Sequence, residues 1–176
     1  MASQEDIKAA LERAARTITL KPSVGQRVYT STAVVENGLA CRVEEKHHVM
    51  IADLPPSMGG DDSGPSPSAL LRAALSSCVA MGVKMWAARR DIVIDRVEAR
   101  VETDVDARGQ FAVDEAVSPG FEGIRLHIRV DSAADPDLLR EIVDTSLRFS
   151  PLMDAFRQAQ AVETHLSVGQ PVMEDQ

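Results

Sequence analysis

From Asp6 to Arg16 the apolar residues Ile7, Ala10, Leu11 and Ala14 recur at three- and four-residue steps, which predicts a helix with one apolar stripe. Beyond Pro22 the period shortens to two. Over Arg27–Glu36, Val28, Thr30, Thr32 and Val34 alternate with other residues and predict a strand. Asn37-Gly38 supplies the positive-φ chemistry of a tight turn, Leu39–Glu45 the return strand, and His48–Ala52 a further short one. The next stretch, PPSMGGDDSGPSP over residues 55–67, holds four prolines and three glycines and predicts a loop.

Ser66-Pro67 pairs a helix-capping side chain with proline at the first helical position, so a helix is expected from Pro67 to about Arg89. Leu71, Leu75, Cys78, Gly82 and Met85 form its predicted inward stripe, broadened by Leu70, Ala74 and Ala88. A helix so apolar reads as a central one. Alternation returns in Arg96–Asp106 and Ile124–Val130, two strands with one wet face each, joined through a loop carrying Gly109, Pro119, Gly120 and Gly123. Asp135-Pro136 and Ser150-Pro151 repeat the cap-plus-proline signal and open two more helices, the second running to about Gln158. Val162–Val168 is expected to be a last strand. The reading is α+β, with an N-terminal helical segment (1–22), one domain (23–168) and a polar tail (169–176).

With 176 residues, 44% of them hydrophobic, the chain can bury one core, and an aromatic content of 3% makes that core aliphatic. A formal charge of -8 with scattered Lys and Arg argues against nucleic acid as a partner. The N-terminus lacks the apolar centre of a signal peptide and no stretch reads as membrane-spanning, so no membrane partner and a cytoplasmic location are expected. Two cysteines, Cys41 and Cys78, are too few for a disulfide scaffold and lack metal-ligand spacing; no metal and no cofactor is expected. If either matters, it matters as a thiol. Met81, Met85 and Trp86 could line an apolar pocket beside Cys78, although core filling is the commoner use of methionine at helical spacing.

The segment MGGDDSGPSPSALLRAALSSCVAMGVKMWA resembles the core signature of the OsmC/Ohr family: a Gly-Gly turn, a proline-bounded loop, then a helix with a cysteine some ten residues in. IRLHIRVDSAADPDLLREIVDTSLRFSPLMDAF is similar to that family's second signature. The resemblance implies an OsmC-like fold, with antiparallel sheets and a long central helix, closed as an intertwined homodimer with active sites at the interface. Active members use one cysteine to attack a hydroperoxide and a second to close a disulfide, aided by an arginine and a glutamate.

Carried over residue by residue, the resemblance places Cys78 at the attacking position and Ser150 at the second-cysteine position. Ser68 stands where one branch has glutamate, while Arg42 and Arg27 are rival matches for the arginine. A hydroxyl forms no disulfide, so a sulfenic acid on Cys78 would need Cys41, a small-molecule thiol or a partner protein to resolve it. Two functions follow. One is a one-cysteine reduction of organic hydroperoxides with an external thiol reductant; the other is a non-catalytic dimer that retains the fold and binds a small apolar ligand.

Overall fold

The computed structural model describes residues 2–169. Residues 170–176, most of the expected tail, lie outside the described residues. Helix α1 spans Gln4–Leu20 and is opened by a capping box: Ser3 Oγ accepts from the Asp6 amide at 3.1 Å, and the Asp6 carboxylate accepts from the Ser3 amide at 2.9 Å. Strands β1 (Thr32–Val35), β2 (Cys41–Glu45) and β3 (His48–Ala52) form an antiparallel meander in that order. Gly38 turns the first hairpin at φ 69°, and Lys46 turns the second at φ 54°. The expected strand from Arg27 begins only at Thr32. Val28 and Tyr29 lie upstream of the residues paired to β2 and are 94% and 64% exposed, so alternation alone makes no strand there.

Between β3 and the central helix the chain is gathered by one carboxylate. Asp53 is 2% exposed and accepts from the backbone amides of Leu54 (2.7 Å), Asp61 (3.1 Å) and Ser63 (3.1 Å), and from the Ser63 hydroxyl (2.8 Å). Hydrogen bonds from the Ser63 amide and hydroxyl, then from Leu54 and Asp61, hold its carboxyl at about 2, below the ordinary 3.8, against the opposing effect of burial. Gly60 is required at this knot, because a Cβ there would lie 2.0 Å from the Leu54 carbonyl oxygen.

Helix α2 (Pro67–Arg89) has the predicted bounds, with Ser66 Oγ accepting from the Ala69 amide. Its deepest stripe, however, is Leu75, Val79, Val83 and Ala87, while the expected inward residues Leu71 and Met85 are 36% and 41% exposed. A helix apolar on nearly every side has no periodicity from which to choose a face. By length and apolarity α2 also meets the description of a membrane span, contrary to the sequence reading. Within the fold it packs instead against α1, α4, α5 and β4.

Strands β4 (Arg96–Val105) and β5 (Phe121–Asp131) form the second antiparallel sheet, joined through the short helix α3 (Ala107–Gln110). One face carries Val97 and Val130 against the core; the other carries an ion-pair ladder in which Arg125 bonds Glu102 (3.1 Å) and Asp104 (2.9 Å). Helices α4 (Pro136–Arg148) and α5 (Pro151–Arg157) start at the two predicted caps, Asp135 and Ser150. The core joins Val83 and Ala87 of α2 to Ile94 and to Ile142 of α4. The expected strand Val162–Val168 does not form: Val162, Leu166 and Val168 are 86%, 83% and 88% exposed. An alternating sequence becomes a strand only where another strand's edge accepts its backbone bonds.

Replacing Asp53 with Ala strips the loop amides of their acceptor and is expected to lower Tm by several degrees, read by differential scanning calorimetry. Because the carboxyl is held at about 2 against an ordinary 3.8, its contribution is complete above that ordinary value and is lost as pH falls through it toward about 2. The difference in stability between wild type and Asp53→Ala is therefore expected to shrink over that acid range.

Candidate functional site

The cysteine helix and the α4–α5 corner meet along one line. Cys78 and Gly82 lie one turn apart on α2, and Ser146 and Ser150 lie four residues apart on the opposing elements. Cys78 Sγ stands 3.4 Å from Ser150 Oγ. Ser150 is 5% exposed, and its hydroxyl oxygen also accepts the Met153 amide at 3.2 Å as the cap of α5. The proline that opens α5 thus fixes the backbone beside the very side chain that meets the sulfur. One turn along, Gly82 leaves room for Ser146, whose Oγ would lie 2.5 Å from a Cβ at position 82. Ser146 is 2% exposed, and its hydroxyl finds no hydrogen-bond partner among the described residues.

This junction opens into a cavity of about 770 Å³. Met81, Met85 and Trp86 of α2 line one side, and Phe149, Pro151 and Leu152 line the other. The Trp86 and Phe149 rings lie 5.3 Å apart at 31°, an aromatic wall with Arg89 stacked on Trp86 and Arg148 on Phe149. Met81, Met85 and Trp86 therefore border open space, where core filling had been the commoner expectation. Among the described residues Glu45, from the end of β2, is the single ionisable group besides Cys78 in the lining, which includes no Lys or Arg. Such a space admits an apolar molecule to a half-buried thiol and offers it hydroxyls instead of cations.

The other predicted residues lie elsewhere. Arg42 is on the exposed face of β2, ion-paired with Glu44, and borders a separate depression with Val34 and Asn37. Arg27 donates to the Val24 carbonyl at 3.0 Å. Ser68 is exposed in the first turn of α2. Cys41 pairs in register with Val35 and Ala52 in the three-stranded sheet and is not among the residues lining the Cys78 cavity. Both cysteines are free thiols. Ser146 and Phe149 went unnoticed in the sequence, and Glu45, which with Glu44 reads there as a helix-end or loop charge, instead ends β2 at the cavity; the only signal for Ser146 was its place four residues before Ser150, which a small polar residue in an amphipathic helix does not advertise.

A half-buried cysteine on a central helix, meeting a capped helix corner beside an apolar cavity in a chain with two antiparallel sheets, defines the class as an α+β thiol protein. The family model described as OsmC-like protein matches residues 60–165, and the chain belongs to that family. Among solved structures, it is similar to an OsmC-like protein from Mycoplasma pneumoniae, with 18% identity over 76% of this chain and 90% of that one and a TM-score of 0.64. It is also similar to an organic hydroperoxide resistance protein from Legionella pneumophila (20% identity, 75% and 92% covered, TM-score 0.56). The organic hydroperoxide resistance protein OhrB of Bacillus subtilis is a third (20% identity, 76% and 93% covered, TM-score 0.51). No curated relative matches the sequence.

Trp86 is the chain's one tryptophan, so intrinsic fluorescence reports on this cavity. Alkylating Cys78 in a Cys41→Ser background is expected to shift or quench the Trp86 emission, whereas alkylating Cys41 in a Cys78→Ser background leaves it unchanged. Equal responses from both would place Cys78 away from the indole.

Proposed function

We propose that this protein is a cytoplasmic, homodimeric thiol peroxidase in which Cys78 reduces organic hydroperoxides and an external thiol regenerates it. The observation that carries the reading is a half-buried free thiol opening on an apolar cavity of about 770 Å³. Family membership adds the expectation of redox chemistry at that cysteine, and two similar structures are named organic hydroperoxide resistance proteins. The Cys78 thiolate gives an electron pair to the distal oxygen of ROOH, the O–O bond breaks, and the products are Cys78 sulfenic acid and RO⁻, which is protonated to the alcohol. An external thiol then displaces water to form a mixed disulfide, and a second thiol releases Cys78. On the resemblance alone the supporting cation is Arg42, with Arg27 as its rival; within one subunit neither is among the residues lining the Cys78 cavity, and Arg42 is ion-paired with Glu44.

Dimerisation is part of the reading, because one chain leaves too much apolar surface uncovered. On α2, Leu71, Met81 and Met85 are 36%, 60% and 41% exposed; in the three-stranded sheet Val35, Val49 and Met50 are 52%, 54% and 43% exposed. A small sheet with both faces wet is poorly stable, and a second copy that covers it and the α2 stripe removes both costs. Ser150 in place of a resolving cysteine favours the second reading, a non-catalytic dimer that binds a small apolar ligand in the same cavity.

Pre-reduced protein mixed with cumene hydroperoxide in stopped flow is expected to consume peroxide and leave a sulfenic acid or mixed disulfide at Cys78 by mass spectrometry. Cys78→Ser is expected to fall to the protein-free background, and Cys41→Ser to keep the first turnover. No reaction in the wild type would leave the binding reading. By sedimentation velocity the wild type is expected as a dimer and Met81→Glu, which sets a charge in the exposed α2 stripe, as predominantly monomer; a monomeric wild type would sink the interface.

A further inference from the structure

Ser150 sits where the resemblance implies a second thiol, yet its environment is that of a working hydrogen-bond donor. A serine hydroxyl has one proton and two lone pairs. Met153 N–H occupies one lone pair at 3.2 Å, and the only other partner of Ser150 Oγ among the described residues is Cys78 Sγ at 3.4 Å. At 3.4 Å either atom can be the donor; with Ser150 5% exposed, its hydroxyl proton has no other acceptor among the described residues and is available to the sulfur. The Met153 amide, by donating to the same oxygen, polarises the hydroxyl and strengthens its bond to sulfur. When Cys78 ionises, Ser150 can only donate; when Cys78 is a thiol, the second lone pair can accept its proton. One residue therefore fits both protonation states without moving.

The rest of the cavity makes that donor matter. Among the described residues no Lys or Arg is in its lining, and Glu45 from β2 is the one other ionisable group there; Arg89 and Arg148 stack on the Trp86 and Phe149 rings without joining the lining. The polar groups that line the space beside Cys78 are thus hydroxyls and one carboxylate. We infer that Ser150 is a thiolate-stabilising residue, a hydroxyl that holds Cys78 Sγ through the Met153–Ser150–Cys78 chain in place of a redox partner. Its role is to hold the sulfur, once ionised, aimed at the cavity, and it leaves the oxidised sulfur open to an external thiol because it cannot itself form a disulfide.

The inference rests on the reading of Cys78 as a nucleophile, but its test uses no peroxide, so either can fail alone. Alkylation of Cys78 by iodoacetamide is followed across pH in full-length protein carrying Cys41→Ser, with Ser150 as Ser, Thr, Ala or Gly. Gly caps a helix nearly as well as Ser but has no hydroxyl to give a thiolate and adds no charge beside the sulfur, so it separates the structural cap from the donor. A hydrogen bond to a charged group raises the thiolate population about tenfold, and the accompanying loss of nucleophilicity returns roughly threefold of that gain. Ser150→Ala and Ser150→Gly are therefore expected to alkylate about threefold more slowly at the acid end, with the rate–pH profile displaced to higher pH, and Ser150→Thr to restore the wild-type profile. Wild-type rates in both Ala and Gly would overturn the inference. So would a slow Ala with a wild-type Gly, since that pattern belongs to the cap alone; melting curves of the four proteins identify any variant slowed or speeded by unfolding.

Discussion

Everything in this fold answers to the need to cover α2. Twenty-three residues with hardly a polar side cannot stand in water, and four elements are spent on them: α1, α4, α5 and β4. The buried line Leu75–Val79–Val83–Ala87 is where that cover is complete. At about 25 cal/mol per Å² of apolar surface removed from water, sealing such a stripe is the main favourable contribution of the subunit's interior. The remaining stripe, through Cys78, Met81 and Met85, is left half open, and the functional cavity is the space that results.

The same constraint explains why the site is built from caps. Three helices begin at a polar cap followed by proline, at Ser66, Asp135 and Ser150, and such starts fix where a chain turns. Ser66 and the Asp53 knot set the register of Cys78 by setting where α2 begins. Ser150 brings α5 back against that helix at the level of the sulfur, so one hydroxyl serves as helix cap and thiol partner together. Charge is kept on the far surface, where the β4–β5 ladder pairs Arg125 with Glu102 and Asp104. Exposed pairs of that kind add little stability, but they keep that sheet face polar.

Most elements were legible because their signals are local. The prolines at 67, 136 and 151 and the caps before them marked three helix starts, and the two long strands announced themselves by alternation. Alternation failed at Arg27–Ser31 and Val162–Val168, where no strand among the described residues pairs with the backbone. Of the inward face expected for α2 only Leu75 and Ala88 are fully buried, because a uniformly apolar helix carries no phase. At the site, Cys78 and Ser150 could be singled out from the resemblance, while Ser146, Glu45 and Phe149 could not, since they meet Cys78 only across elements distant in sequence.

The sequence by itself determined the α+β class, the cap-and-proline helix starts and the antiparallel strand pairs, because these rest on propensity and period within short windows; Cys78 was singled out by the family resemblance. Only the tertiary structure decided that Cys78 faces Ser150 at 3.4 Å, that an apolar cavity opens beside them, and that Arg42 points to Glu44 instead. Those are distances between side chains as many as 72 residues apart, and they exist only once α2 has been packed between its neighbours.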